Sequence, residues 1–120
     1  MVVRSPVEER GIMRRMASEV WEDEGEPYHF QWAHVESEEA WIFELSEGRR
    51  APASWSGTPH ENAVMPGTMM VAVVAHDPDV EKPPYVRFDP EQTVPFELMK
   101  RFVGRVAEIL DSACETRTPG

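Results

Sequence analysis

Four histidines and a single cysteine bound the chemistry open to this chain. His60-Glu61 opens like the zinc-binding helix of a metalloprotease, but that motif needs a second histidine three residues after the glutamate, and Val64 stands there. His60 also lies between Pro59 and Pro66, in a stretch with no helical pattern. His76-Asp77, with Asp79 two residues on, offers one imidazole and two carboxylates, a set that can hold a divalent cation. A small ligand-binding domain or enzyme using His76 and Asp77 is therefore one expectation. The plainer alternative is a polar strand end running into an Asp-Pro-Asp turn. His29 and His34 differ by an odd number, so on a regular strand they point to opposite faces and cannot chelate together. Cys114 falls late in a helical pattern, away from the dipole end that would activate a thiol, and is expected to be a structural residue. No nucleophile-elbow pattern surrounds Ser54 or Ser56, and Gly48, Gly57 and Gly67 are too isolated to form a phosphate-binding loop. The expectation is a chain with no catalytic residue, no metal and no cofactor.

Charge and aromaticity are more distinctive. The net charge is −10, and between Arg15 and Arg49 there is no Lys or Arg. The same stretch holds ten acids: Glu19, Glu22, Asp23, Glu24, Glu26, Glu36, Glu38, Glu39, Glu44 and Glu47. Trp21, Tyr28, Phe30, Trp32, Trp41 and Phe43 are interleaved with them. Such a surface repels nucleic acid and anionic membrane, whose binding needs clustered bases. It favours a basic protein surface and speeds that encounter. The candidate contact residues are Glu36, Glu38 and Glu39 at a hairpin tip, Glu22, Asp23 and Glu24 as its flank, and the aromatics Trp32 and Trp41 between them. Aromatics beside acids can also cage a cation. Strand alternation instead puts them on one hydrophobic face, where they would form core.

These residues must be positioned by recognisable elements. Ser5-Pro6-Val7-Glu8 has the form of a capping box with proline at the first helical position. Ile12, Met13, Met16, Ala17, Val20 and Trp21 follow at helical spacing, and Gly25 is a natural stop, which predicts an N-terminal helix. Glu22, Asp23 and Glu24 would then crowd the negative end of the helix dipole, against the usual preference. Residues 28–36 and 40–46 alternate as two strands, and a turn at Ser37-Glu38 opposes His34 to Trp41, Trp32 to Phe43 and Phe30 to Leu45. Residues 47–68 are broken by Pro and Gly and predict a long irregular loop. Met69 to His76 is apolar throughout and predicts a central strand covered on both faces. Tyr85 to Asp89, behind Pro83-Pro84, predicts a short edge strand. A turn at Pro90 to Gln92 then leads to a last helix with Phe96, Met99, Phe102, Val103, Val106, Ile109, Leu110 and Ala113 on one stripe. Residues 116–120 are expected to be a loose tail.

The expected fold class is α+β: one domain over residues 1–120, a two-layer sandwich with an antiparallel sheet of about four strands and N- and C-terminal helices, in the order α-β-β-loop-β-β-α. A chain of 120 residues is long enough to bury a core without staples. The longest wholly apolar run, Met69 to Ala75, falls far short of the roughly 20 residues that span a bilayer. Arg4, Glu8, Glu9 and Arg10 interrupt the N-terminus before any hydrophobic run, so no secretory signal and a cytoplasmic location are expected. The function expected is a non-enzymatic acidic interaction module, an inhibitor or regulator that binds a basic protein surface, with nucleic-acid mimicry as one form. A structural subunit of a larger assembly, such as a phage or secretion component, is the second expectation. The His76 and Asp77 domain is the third.

Overall fold

The computed structural model describes residues 13–117. They form strands β1 (Met13–Asp23), β2 (Glu26–Val35), β3 (Ala40–Arg50), β4 (Val64–His76) and β5 (Tyr85–Phe88), followed by one helix, α1 (Phe96–Arg117). The strands make a five-stranded sheet in sequence order, with every neighbouring pair antiparallel. No described helix is long and apolar enough to cross a membrane.

The α+β class stands, but the first element differs from expectation. Met13–Asp23 is a strand, where helical spacing predicts a helix, and residues 1–12, with the expected cap at Ser5-Pro6, lie outside the described residues. The same side chains satisfy a period of two: Glu19 and Trp21 oppose Phe30 and Tyr28, while Met16 and Val20 lie on the other face, 48% and 52% exposed. Pairing with the edge of β2 decides between the two periods, a non-local effect that propensity does not contain. The turn follows from the same pairing. Asp23 faces Glu26, and Glu24 and Gly25 both have positive φ, 51° and 82°. That is the signature of a tight primed hairpin turn, and it explains why a glycine stands there. The acids at 22–24 therefore do not oppose a helix dipole; they rim a hairpin.

The β2–β3 hairpin has the expected register, with His34 opposite Trp41, Trp32 opposite Phe43 and Phe30 opposite Leu45. Its connection is a 3-10 turn at Glu36–Glu38 closed by Glu39 in the left-handed region, four residues in place of a two-residue turn. The region expected to be irregular from 47 to 68 is shorter. β3 continues to Arg50 and β4 begins at Val64, so the connection is 51–63, with a 3-10 turn at Ala53–Trp55. Pro66 sits opposite Gly48 where the β3–β4 ladder shifts register, one of the places a strand tolerates proline. The tail also differs: α1 continues through residues 116 and 117, and only 118–120 lie outside the described residues.

Helix α1 covers the face that carries the aromatics. Leu98, Phe102 and Val106 pack on Trp21, Phe30, Phe43, Leu45, Val71 and Val73, with Tyr28, Trp32 and Trp41 partly buried against them. Over the central strands the other face is buried too. Ala33, Val35, Ala40, Ile42 and Val74 form a second cluster there. Gln31 Nε2 donates to Glu44 Oε1 at 3.0 Å, which gives a fully buried carboxylate a partner.

Val73 tests the frame directly. It is 8% exposed, lies between Phe43 and Val86 in the ladder, and belongs to the core under α1. Val73→Asp should cost about 3–5 kcal/mol, the scale of an uncompensated buried charge, and leave the domain largely unfolded in urea titrations. A variant that melts like the parent would remove β4 from the core.

Candidate functional site

Strand β2 runs between two acidic ends. At one end lie Glu22, Asp23, Glu24 and Glu26 of the β1–β2 turn, with Glu47 opposite Tyr28 on β3. At the other lie Glu36, Glu38 and Glu39 of the β2–β3 turn. Ten residues of strand separate them, roughly 30 Å at the usual rise. The candidates expected to form a tip and its flank are therefore two distinct clusters. Glu22, Glu24, Glu36, Glu38 and Glu39 are all exposed, and Asp23 is half-buried. Arg50 tempers the first cluster: its guanidinium donates to the Gly25 carbonyl at 3.2 Å and lies 3.8 Å from Glu22.

The first cluster surrounds a groove of about 390 Å³ lined by Glu26, Pro27, Tyr28, Glu47, Gly48, Met70, Gln92, Thr93 and Pro95. Gly48 is what allows its wall. A Cβ there would stand 2.8 Å from the carbonyl carbon and oxygen of Pro27, so only glycine permits β2 and β3 to approach this closely. Burial and then the neighbouring carboxylates of Asp23, Glu26, Glu47 and Glu24 raise the Tyr28 phenol above its ordinary 10.0, because each opposes a phenolate. The groove is thus a place of negative potential with an aromatic wall.

Trp32 and Trp41, expected between the acids as contacts, are half-buried against the helix-covered core. The cations over the tryptophans belong to the chain itself. Arg101 lies 4.3 Å from the Trp21 ring and Arg105 lies 5.6 Å from Trp32. Arg105 also grips Glu19, donating through Nη2 at 2.6 Å and Nε at 3.1 Å to the same carboxylate oxygen. That hydrogen bond is the main cause that holds the Glu19 carboxyl below its ordinary 4.5, against the opposing effect of burial. It clasps α1 to β1 across the sheet.

The side chains of His76 and Asp77 lie on opposite faces of the sheet. His76 pairs with Ala40 on the face away from α1, with its ring 6.2 Å from Tyr85. Asp77 faces the other way and meets His34, whose Nε2 lies 2.9 and 3.1 Å from its two carboxylate oxygens. His34 is also edge-on to Trp41 at 5.2 Å. A carboxylate so placed orients an imidazole and fixes its tautomer. The Asp77 amide donates to the Glu39 carbonyl at 2.8 Å, so the contact also ties the end of β4 to the hairpin turn. His60 meets Trp55 in the exposed 51–63 connection. Among the described residues no three His, Cys, Asp or Glu side chains are grouped to hold a metal ion. Cys114 lies in the last turns of α1, and its side chain is outside the described set.

Sequence reasoning missed the Tyr28 groove and the His34–Asp77 contact. The first was accessible, since the register that opposes His34 to Trp41 also opposes Tyr28 to Glu47. The second joins residues 43 apart and has no local signature. No family model, curated protein or solved structure matches the chain.

Tyr28 reports the groove's potential. Its phenol should ionise above 10.0 in the folded protein, seen as phenolate absorbance that disappears in Tyr28→Phe. Glu26→Gln with Glu47→Gln should bring that titration down part of the way, leaving the contribution of burial. A titration unmoved by loss of both carboxylates would show that they do not set the potential there.

Proposed function

We propose that this protein is a non-enzymatic acidic interaction module of the cytoplasm that binds a basic protein surface, as an inhibitor or regulator. One observation carries this reading: the groove at Tyr28, flanked by Glu26 and Glu47 and biased by Asp23 and Glu24. A lysine or arginine side chain entering it would meet carboxylates on its rim and an aromatic ring on its wall, the two features that hold a cation. The exposed acids at 36–39 supply a second negative end, suited to steering a positive partner before contact. Mimicry of nucleic acid would use the same two ends as stand-ins for separated phosphates. Trp32 and Trp41 contribute through the core they share with α1, partly buried and apart from the groove lining.

The test begins with capture of partners from the native host at low salt, followed by binding kinetics with the captured basic protein. The association rate should fall as salt rises, because exposed charges are screened over about 8 Å at physiological ionic strength. Glu26→Lys with Glu47→Lys should weaken binding by about tenfold or more, mainly through faster dissociation, if the groove holds a desolvated cation. Glu36→Lys, Glu38→Lys and Glu39→Lys together should lower the association rate with a smaller effect on dissociation. Binding indifferent to salt and to both sets of reversals would remove the acidic-surface reading.

A further inference from the structure

The β5 edge is unlike the acidic ends. Val86 and Phe88 lie opposite Val73 and Val71, on the face that α1 covers, yet remain 47% and 57% exposed. Arg101 and Arg105 reach Trp21, Trp32 and Glu19, so that flank of α1 faces β1 and β2. The opposite flank, with Phe96, Met99 and Val103, faces the β5 side, and Phe96 is 74% exposed. On this face Val86, Phe88, Phe96 and Val103 leave roughly 400 Å² of apolar surface in water, taking each side chain at its usual area, within the range of the largest patch a monomer carries. Natural sheets usually blunt such an edge.

The backbone there is also open. The Asp89 amide donates to the Met70 carbonyl at 3.1 Å. By the alternation of an antiparallel ladder, Arg87 then bonds inward to β4, while Val86 and Phe88 turn their N–H and C=O groups outward.

We propose that β5 pairs with β5 of a second copy across a two-fold axis at Phe88, joining two sheets into one. Charge selects both the occupant and the register. Residues 82–103 hold four bases and three acids, whereas residues 16–48 hold ten acids and no base. Those acids lie on β1 to β3 and their turns, about 10 Å or more from β5 at the usual strand spacing. Pairing through β5 therefore sends the two acidic halves to the far ends of the dimer. With Phe88 opposite Phe88, Arg87 of each copy faces Asp89 of the other on the same side of the sheet, and two ion pairs form. Centring on Arg87 would oppose two guanidinium groups. Centring on Val86 would set Arg87 against Tyr85. The Phe88 register pairs residues 87–89 of each copy, because the chain turns after Asp89, whose carbonyl accepts from the Gln92 amide at 3.1 Å; the Val86 register sets Pro84 against Phe88, and the ion pairs decide between them. Both helices fall on one face of the joined sheet, and Phe96 and Val103 flank the seam. The apolar patch supplies about half of the ~800 Å² per partner of a stable interface, and the strand backbone and the Arg87 and Asp89 rim add to it.

Sedimentation equilibrium at micromolar concentration should give twice the 13.7 kDa chain mass. Phe88→Asp and Phe96→Asp, both at exposed positions, should fold and melt like the parent but weaken dimerisation by about tenfold or more. In a Cys114→Ser background, Phe88→Cys should oxidise to a covalent dimer, since directly opposed residues of a hydrogen-bonded pair stand about 5.5 Å apart, within disulfide reach. Val86→Cys should not. A chain that stays monomeric, leaving the edge to a strand of another protein, overturns the proposal. So does a dimer untouched by Phe88→Asp, or one that cross-links through Val86→Cys in place of Phe88→Cys.

Discussion

Phe30 is the ring on which the sheet and the helix meet. It is wholly buried and stacks on Trp21 at 4.8 Å, tilts against Trp32 at 5.1 Å, and takes the edge of Phe102 at 5.6 Å. Phe43 lies beyond at 6.5 Å. One side chain therefore touches residues from β1, β2, β3 and α1. Aromatic rings bury about 150–250 Å² each, and offset or edge contacts add to that burial. Once Phe102 is seated, the rotation of α1 follows. Leu98 and Val106 fall onto the sheet, and Arg101 and Arg105 come to lie over Trp21 and Trp32. The Arg105–Glu19 contact then closes the side toward β1, and the side toward β5 keeps its exposed apolar residues.

That constraint shapes what the surface can offer. The tryptophans under α1 are committed to packing, and their cations come from the chain itself. The acids of β1 to β3 are pushed to the strand ends, where turns expose them, except for Glu19, held by Arg105, and Glu44, held by Gln31 inside the fold. The result is a sheet with negative ends, an aromatic middle and one nearly neutral apolar edge. The proposed partner surface and the proposed self-pairing edge use different parts of it and do not compete.

Much of this is written in local spacing. Alternation over 28–46 fixes which residues share a face, and the turn at Ser37-Glu38 sets His34 opposite Trp41, so the β2–β3 register is legible from the residues alone. It also places Tyr28 beside Glu47, and hence the groove. The unbroken apolar run of β4 and the proline-led β5 are legible for similar reasons. β1 is not. Met16, Ala17, Val20 and Trp21 fit a period of 3.6 and a period of two, and what separates them is the edge of β2, which no window of sequence contains. The Glu24-Gly25 turn is obscured because glutamate is an uncommon residue at positive φ. Pro66-Gly67 reads as a break, since the bulge that accommodates it depends on Gly48 of the facing strand. The His34–Asp77 contact depends on where β4 ends relative to the hairpin, a tertiary fact.

The most direct measurement is a double-mutant cycle on Phe30 and Phe102, using Phe30→Leu, Phe102→Leu and the pair, with stability from urea unfolding. Each single change keeps an apolar side chain but removes a ring. If the Phe30–Phe102 contact organises the helix on the sheet, the two changes should couple by about 0.5–1.5 kcal/mol, the value of an aromatic pair beyond its area. Strictly additive losses would contradict it, and would mean that α1 is held on the sheet by general burial alone.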